Sequence, residues 1–188
     1  DYNFDIAGVG DVNNDTENDM VIGHSNQEGA NHTVRLEIFF GGENISNVPD
    51  MNITLPTVWS NTISKISVAG IGDFNNDSID DFAIGVPGQN NESVFVFTGG
   101  DTIDTNYSWC FQESNTSYYG YQISGGGDVN GDGIDDLLVG SWAYNSSTGS
   151  AYLYCGRTFT ANSTYDMMLS GIYANGAFRQ LESVPAST

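Results

Sequence analysis

The stretch GGGDVNGDGIDDLLVG at residues 125–140 decides the fold, because the same pattern occurs twice more in the chain. It reads GVGDVNNDTENDMVIG at residues 8–23 and GIGDFNNDSIDDFAIG at residues 70–85. Measured between their first aspartates, the copies are 62 and 55 residues apart. Propeller blades repeat with periods of about 40 to 50 residues, to which loop insertions add. The repetition therefore predicts a series of stacked supersecondary units.

Each copy contains the pattern Asp-x-Asn-x-Asp-x-x-x-Asp, which would arise by chance about 0.01 times in a chain of this composition. In a tight loop, the side chains at positions 1, 3 and 5 can turn their oxygen atoms toward one centre, and the aspartate at position 9 can close the cage. The residue at position 7 would contribute its backbone carbonyl group. The predicted ligands are Asp11, Asn13, Asp15, Glu17 and Asp19 in the first loop, Asp73, Asn75, Asp77, Ile79 and Asp81 in the second, and Asp128, Asn130, Asp132, Ile134 and Asp136 in the third.

Calcium (Ca2+) is the predicted cation at all three sites. It prefers about seven hard oxygen ligands, and the loops hold no Cys or His that would favour zinc or copper. Without a cation the carboxylates of one loop would repel, at about 1 kcal/mol for each pair at 4 Å in water. An EF-hand starts with the same spacing but needs a glutamate at loop position 12, where this chain has Ile22, Ile84 and Val139.

The segments on both sides of the loops are short and rich in β-forming residues, which predicts calcium loops within β-hairpins. A third apolar strand follows each hairpin, at VRLEIFFGG (34–42), SVFVFTGG (93–100) and SAYLYCGR (150–157). A less regular fourth strand is expected near MNITLP, NYSWCF and DMMLSG. Four antiparallel strands per unit is the composition of a propeller blade. The predicted fold class is therefore all-β, with propeller-type blades.

The triplicated pattern GxGDxNxDxxxDxxxG resembles the FG-GAP repeats of the integrin α-chain head and of its prokaryotic relatives. The resemblance covers most of the chain and implies a β-propeller, with calcium bound in the hairpin between the first two strands of each blade. It also implies an extracellular protein, because members of the family are extracellular and often belong to adhesion or carbohydrate-linked proteins. The Phe-Gly of the family name is represented loosely by Tyr119-Gly120, and the Gly-Ala-Pro stretch by Gly85-Val86-Pro87.

The strands divide one domain, residues 1–188, into three units at about 1–57, 62–112 and 118–171. The segment GAFRQLESV at 176–184 is predicted to be an extra first strand without a calcium loop. A closed propeller needs four to eight blades, so these units would form an open arc. Proteins normally cover exposed strand edges. We therefore expect other copies of the chain, or the rest of a longer chain, to complete a ring or extend a fibre.

The charge of the chain excludes several classes of partner. It has 24 Asp and Glu residues against 4 Lys and Arg, for a formal net charge of -20. Binding to nucleic acid or to an anionic membrane surface needs clustered cations. No window approaches the roughly 18 continuous apolar residues of a membrane span. Neither nucleic-acid binding nor membrane insertion is expected.

The chain contains ten Asn-x-Ser/Thr sequons, about three times the number expected by chance. This excess favours a secreted glycoprotein, located outside the cell or on its surface. Asn14 and Asn76 lie within the calcium loops and are poorer acceptors. The predicted glycosylation sites are Asn31, Asn44, Asn52, Asn91, Asn106, Asn115, Asn145 and Asn162.

Few other residues suggest chemistry. Cys110 and Cys155 fall in different units, and either a disulfide or two buried thiols would suit the sequence. His24 and His32 have no glutamate at metalloprotease spacing, and the chain has no Gly-x-Ser-x-Gly motif. No enzyme is therefore expected.

The predicted function is a calcium-stabilised extracellular glycoprotein module with a structural or adhesive role. A first alternative is a glycan-binding, lectin-like propeller, in which Trp59, Trp109 and Trp142 would line a groove for a protein or glycan ligand. Packing between blades accounts better for most of the aromatic residues. A second alternative is an accessory propeller of a carbohydrate-active enzyme.

Overall fold

The structure, a computed structural model, describes the following ranges of the chain: 3–28, 31–55, 65–87, 93–113, 118–142, 149–157 and 164–170. Within these ranges, twelve β-strands form three four-stranded antiparallel sheets. The strands of each sheet follow one another in chain order, and each pairs with the next. The predicted all-β fold with blades of four antiparallel strands is confirmed.

The first sheet contains β1 (Phe4–Gly10), β2 (Asp19–Glu28), β3 (Asn31–Phe39) and β4 (Met51–Thr54). The second contains β5 (Ser67–Gly72), β6 (Asp81–Val86), β7 (Ser93–Phe97) and β8 (Trp109–Gln112). The third contains β9 (Tyr119–Gly127), β10 (Asp136–Ser141), β11 (Ser150–Tyr154) and β12 (Met167–Ser170). The extra strand predicted at 176–184 lies outside the described residues, and the division of one domain into the predicted units stays a prediction.

The second sheet lies between the other two, and its strands are buried on both faces. Alternate side chains of a strand point to opposite faces. In β7, Phe95 and Phe97 join the apolar core shared with the first sheet, whereas Val94 and Val96 join the core shared with the third sheet. The fold therefore has two cores, one at each contact between neighbouring sheets.

Neighbouring sheets approach so closely that glycine is required at the contact. A Cβ atom at Gly23 of β2 would lie 2.7 Å from Val68 Cγ2, and one at Gly85 of β6 would lie 2.2 Å from the carbonyl oxygen of Gly120. The first sheet therefore packs on the second, and the second on the third, through equivalent glycines.

The face of the first sheet that points away from the second sheet is exposed. We call it the outer face; it carries Phe4 and Ile6 of β1, which are 72% and 55% exposed. The equivalent residues of the second sheet are Ile66, just before β5, and Val68 in β5, and both are buried against the first sheet. The outer face thus has the apolar residues of an inter-blade contact but no described residue covering them.

Candidate metal centres

The three acidic loops occupy the same place in each sheet, between its first and second strands. A glycine with a left-handed backbone precedes each loop: φ is 80° at Gly10, 67° at Gly72 and 61° at Gly127. Because glycine adopts this conformation without steric cost, it suits a sharp turn out of the first strand. The hairpin placement predicted from the sequence is confirmed.

The aspartate at position 1 folds over its own loop. In the first loop, Asp11 Oδ1 accepts a hydrogen bond from the N–H of Asp15 (2.9 Å), and Asp11 Oδ2 accepts one from the N–H of Thr16 (2.8 Å). In the second loop, Asp73 accepts equivalent bonds from Asp77 and Ser78, both at 2.8 Å. The third loop repeats this arrangement, with bonds from Asp132 (3.0 Å) and Gly133 (2.8 Å) to Asp128.

The side chains at positions 3 and 5 meet inside each loop. The amide Nδ2 of the asparagine donates to Oδ2 of the aspartate two residues later, at 2.8 Å for Asn13 and Asp15 and at 2.7 Å for Asn75 and Asp77. The third loop has the same bond at 2.9 Å, from Asn130 to Asp132. Three of the five predicted ligands of every loop are thus side chains that lie together on one turn.

The residues at position 7, Glu17, Ile79 and Ile134, lie where the loop turns back toward the second strand. Each donates its backbone N–H to Oδ1 of the aspartate at position 5, at 2.9, 2.9 and 3.0 Å respectively. Whether their carbonyl groups bind a cation stays a prediction.

The aspartates at position 9 have a second role that the sequence does not reveal. Asp19, Asp81 and Asp136 are almost fully buried, with exposures of 3%, 0% and 0%. Asp81 Oδ2 accepts hydrogen bonds from the N–H of Phe74 (3.0 Å) and Asn75 (3.1 Å), and Asp81 Oδ1 accepts one from Gly99 (2.9 Å). Each of these carboxylates therefore ties the start of its loop to the glycine that follows the third strand.

The same bonds recur in the other sheets. Asp19 accepts from Val12 (2.9 Å) and Gly41 (2.8 Å), and Asp136 from Val129 (2.8 Å) and Gly156 (3.0 Å). The repeated glycines at 41, 99 and 156 were the only sequence signal for this contact.

Burial raises the pKa of all three position-9 carboxyl groups, and it raises the pKa of Asp81 to about 7. The negative charges of Asp77 and Asp73 act in the same direction on Asp81. A buried carboxylate with this pKa carries an electrostatic cost when it is ionised. A cation in the loop would reduce that cost.

The arrangement of the oxygen atoms in the loops indicates whether these residues suit a cation. Among the described residues, no group of three or more Asp, Glu, His or Cys side chains is arranged to hold a metal ion. Most carboxylate oxygens are instead occupied by backbone amides of their own loop. The second loop also contains an amide oxygen that no hydrogen bond occupies: Asn75 is 4% exposed, and its Oδ1 atom is buried without a hydrogen-bond partner. An orphaned oxygen at position 3, among carboxylates, fits a hard cation such as calcium.

Neighbouring loops also contact each other directly. Asp80 of the second loop accepts a hydrogen bond at Oδ2 from the N–H of Asp11 in the first loop (2.9 Å). Asp135 of the third loop accepts the same bond from the N–H of Asp73 (3.1 Å). Neither Asp80 nor Asp135 was predicted as a contact residue from the sequence, although the sequence contains the paired aspartates Asp80-Asp81 and Asp135-Asp136.

Comparison with known proteins identifies the repeat. The family model described as "FG-GAP repeat" matches residues 66–97 and 119–154, which contain the second and third loops. The chain carries FG-GAP repeats. The first loop lies outside the matched ranges, but it shares the geometry of the other two.

Integrin alpha chains are similar to this FG-GAP chain. Integrin alpha-7 of Mus musculus is 31% identical over 149 residues, which is 76% of this chain and 12% of that protein. Integrin alpha-5 of Xenopus laevis is 27% identical over 161 residues, which is 78% of this chain and 15% of that protein. Integrin alpha-X of Mus musculus is 39% identical over 79 residues, which is 38% of this chain and 7% of that protein. The chain thus spans less than a sixth of the length of these relatives.

The tryptophans of the FG-GAP chain differ in their surroundings. Trp109 is buried and packs edge-on against Phe74, 5.6 Å between ring centroids, so it belongs to the core between the second and third sheets. Trp142 is half-buried and stacks on Tyr118 at 5.0 Å, near Tyr121. Its Nε1 atom is buried without a hydrogen-bond partner. Trp59 lies outside the described residues.

The remaining candidate residues are placed as follows. Cys110 in β8 and Cys155 after β11 are free, half-buried thiols in different sheets, so they form neither the disulfide nor the pair of fully buried thiols that the sequence left open. His24 Nε2 lies 3.8 Å from Glu37 Oε1, and His32 is buried in β3.

Of the predicted glycosylation sites, Asn44, Asn52 and Asn106 are exposed. Asn31 begins β3, but its side chain lies outside the described residues. The remaining sites, Asn91, Asn115, Asn145 and Asn162, lie outside them as well. Within the described ranges, no helix has the length and hydrophobicity that crossing a membrane requires.

Proposed function

We propose that this chain is a calcium-stabilised FG-GAP propeller module with a structural or adhesive role outside the cell, and that it has no catalytic activity of its own. The observation that carries the proposal is the set of three equivalent oxygen-rich loops, together with the orphaned Oδ1 of Asn75. The proposed ligands are the residues at positions 1, 3, 5, 7 and 9 of each loop. The similarity to integrin alpha chains supports the adhesive role and the extracellular location.

Bound calcium would supply positive charge among carboxylates that otherwise repel. With a site constant of about 0.1 mM and calcium at about 1 mM, each loop would contribute about 1.4 kcal/mol, or about 4 kcal/mol for three independent sites. For a chain of this size, that corresponds to a rise in melting temperature of about 10 °C.

Thermal melting of the full chain tests the proposal. We expect 1 mM calcium to raise the melting temperature by about 10 °C over the value in excess EDTA, with a smaller effect of magnesium at the same concentration. Equal melting temperatures in calcium and in EDTA would show that the loops are not structural calcium sites.

We further propose that the outer face of the first sheet packs on a second copy of the chain. Phe4 and Ile6 occupy the places of Ile66 and Val68, which the preceding blade buries. A blade of the same repeat is therefore the occupant that fits this face. Such a head-to-tail contact is heterologous and would close a ring or extend a fibre.

Sedimentation velocity tests the assembly. We expect species larger than the 20.2 kDa chain, and we expect Phe4→Glu or Ile6→Glu to shift them toward the monomer. Val48→Glu, at an exposed residue of the loop between β3 and β4, serves as the surface control. A stable, dispersed monomer of the unmodified chain, or a shift with the control alone, contradicts the proposal.

Glycan binding is a second candidate, favoured by the buried, unpartnered Nε1 of Trp142 beside Tyr118 and Tyr121. Aromatic faces stack on sugars, and an indole N–H can donate to a hydroxyl group. A glycan array would test it: binding that Trp142→Ala abolishes and Tyr107→Ala leaves unchanged supports a lectin-like role. The same array with no ligand argues for the structural or adhesive role.

A further inference from the structure

Neighbouring loops contact each other directly, although calcium binding within separate loops would not require such a contact. At the first contact, the carboxylate of Asp80 receives the N–H of Asp11, and the N–H of Asp80 donates back to the carbonyl oxygen of Asp11 (3.3 Å). The N–H of Gly100 donates to the carbonyl oxygen of Val12 (2.9 Å). The first proposed ligand of one loop is thus fixed by the loop of the next sheet.

The second contact repeats the first. Asp135 receives the N–H of Asp73, and the N–H of Arg157 donates to the carbonyl oxygen of Phe74 (2.9 Å). A Cβ atom at Gly72 would lie 1.9 Å from Asp135 Oδ2, so no other residue could precede Asp73 without displacing the carboxylate. Two independent interfaces therefore place an aspartate of position 8 against position 1 of the preceding loop.

The charges at this contact are of one sign. Asp80 is flanked by Asp81, a proposed ligand of its own loop, and bonds to Asp11, a proposed ligand of the first loop. The negative charges of Asp135, Asp11 and Asp73 all act on Asp80. This fixed charge attracts each cation separately, so the hydrogen bonds are what link the two loops. A cation that orders the second loop also fixes Asp80 and, through it, the backbone of Asp11.

We propose that Asp80 and Asp135 are positioning residues whose hydrogen bonds to the preceding loop couple calcium binding in adjacent loops, so that a cation in one loop strengthens binding in its neighbour. The inference rests on the proposed calcium binding and adds that each loop affects the calcium affinity of the loop in the neighbouring sheet. The coupling is reciprocal, because the effect of one site on another equals the reverse effect.

The first loop contains the natural control. Its position-8 residue is Asn18, and within the described part of the chain no hydrogen bond joins the Asn18 side chain to another loop. Asn18 is therefore not expected to take part in coupling.

Amide NMR of the full chain, produced without glycans, measures the affinity of each loop separately. The N–H groups of Thr16, Ser78 and Gly133 each bond to the position-1 aspartate of their own loop and report on it. We expect Asp77→Ala, which removes a ligand from the second loop, to weaken calcium binding in the first loop by about fivefold or more.

The same loss measured in an Asp80→Ala background isolates the coupling, as in a double-mutant cycle. Alanine removes the oxygen that accepts the Asp11 N–H, whereas Asp80→Asn keeps an acceptor, removes only the charge and should preserve most of the coupling. We expect the effect of Asp77→Ala on the first loop to fall below about twofold in the Asp80→Ala background. An Asn18→Ala background should leave the effect at its original size.

The second interface provides an independent measurement if Asp80→Ala does not fold. There, Asp132→Ala is read at Ser78, with and without Asp135→Ala. Equal effects in both backgrounds, or no effect of one loop on the next, overturn the coupling and leave calcium binding intact. The absence of any calcium-dependent shift overturns both proposals.

Discussion

The carboxylate of Asp80 fills the space beside Gly10. A Cβ atom at Gly10 would lie 2.0 Å from Asp80 Oδ2, and the backbone of Gly10 is left-handed, with φ of 80°. We predict that Gly10→Ala lowers the free energy of unfolding by at least about 2 kcal/mol, because it adds a steric clash to an unfavourable backbone conformation. Urea unfolding of the full chain measures the change.

Gly8→Ala is the matched control for Gly10→Ala, and both are measured in the Phe4→Glu variant because Gly8 lies on the face proposed to pack on a second copy. Gly8 lies two residues earlier in β1, on the outer face, and a Cβ atom there would meet nothing within 4 Å. We expect a change within about 0.5 kcal/mol. A loss at Gly8 as large as that at Gly10 would show that the strand, and not the contact with Asp80, is sensitive to substitution.

Position 6 of the loops offers a stabilising substitution. Thr16 and Ser78 have left-handed backbones, with φ of 76° and 73°, where the third loop has Gly133 with φ of 88°. A β-branched residue is strained in this conformation. We predict that Thr16→Gly stabilises the protein by about 0.5 to 1 kcal/mol, a net of relieved strain over the entropy cost of glycine.

The converse substitution checks the cause. Gly133→Thr should destabilise by a similar amount, and both effects should appear in urea unfolding whether or not calcium is present. If Thr16→Gly destabilises the protein, the left-handed conformation at position 6 is not a source of strain.

The sequence predicts the hairpins, the four strands of each sheet and the place of the loops, because these depend on local spacing. The alternation in β7 even assigns Val94 and Phe95 to opposite faces. The left-handed residues at position 4, Asn14 and Asn76, were not predicted, with φ of 62° at both. Asparagine tolerates this conformation but does not require it, so its presence alone does not reveal it.

The contacts that join loops and sheets were also missed. Asp80 reads in the sequence as one more acidic residue beside Asp81. Its bond to Asp11 spans 69 residues and exists only when two sheets have packed. Similarly, the pattern marks Asp81 as a ligand but not as the acceptor for Gly99. Tertiary contacts of this kind leave no periodic signal in one repeat.

The loss of stability on substituting Asp77 should depend on calcium, whereas the loss on substituting Asp81 should not. Asp81 is buried and accepts three backbone N–H groups, whereas Asp77 is exposed. We predict that Asp81→Ala destabilises by more than about 2 kcal/mol both in EDTA and in millimolar calcium, because it leaves buried donors unpaired. Asp77→Ala should cost about 1.4 kcal/mol in calcium and much less in EDTA. Urea unfolding in each buffer compares the two, and equal behaviour contradicts the assignment.

The buried hydroxyl groups of Tyr119 and Tyr154 hydrogen-bond to each other between β9 and the end of β11. Burial raises the pKa of both well above the usual tyrosine value of about 10. Above that pH the unfolded chain loses these protons while the folded chain keeps them, so stability is full below pH 10 and falls as the pH rises. The expected slope is about 1.4 kcal/mol per pH unit for each tyrosine.

Comparison of the unmodified chain with Tyr119→Phe isolates this effect. The substitution should cost about 1 to 2 kcal/mol at pH 8, because Tyr154 loses its partner, and it should remove the Tyr119 share of the alkaline slope. Burial also raises the pKa of Cys110 and Cys155, but these thiols are present in both proteins and cancel in the difference. Urea unfolding between pH 8 and 11 gives both slopes. Identical slopes would show that Tyr119 ionises as readily in the folded chain as in the unfolded one.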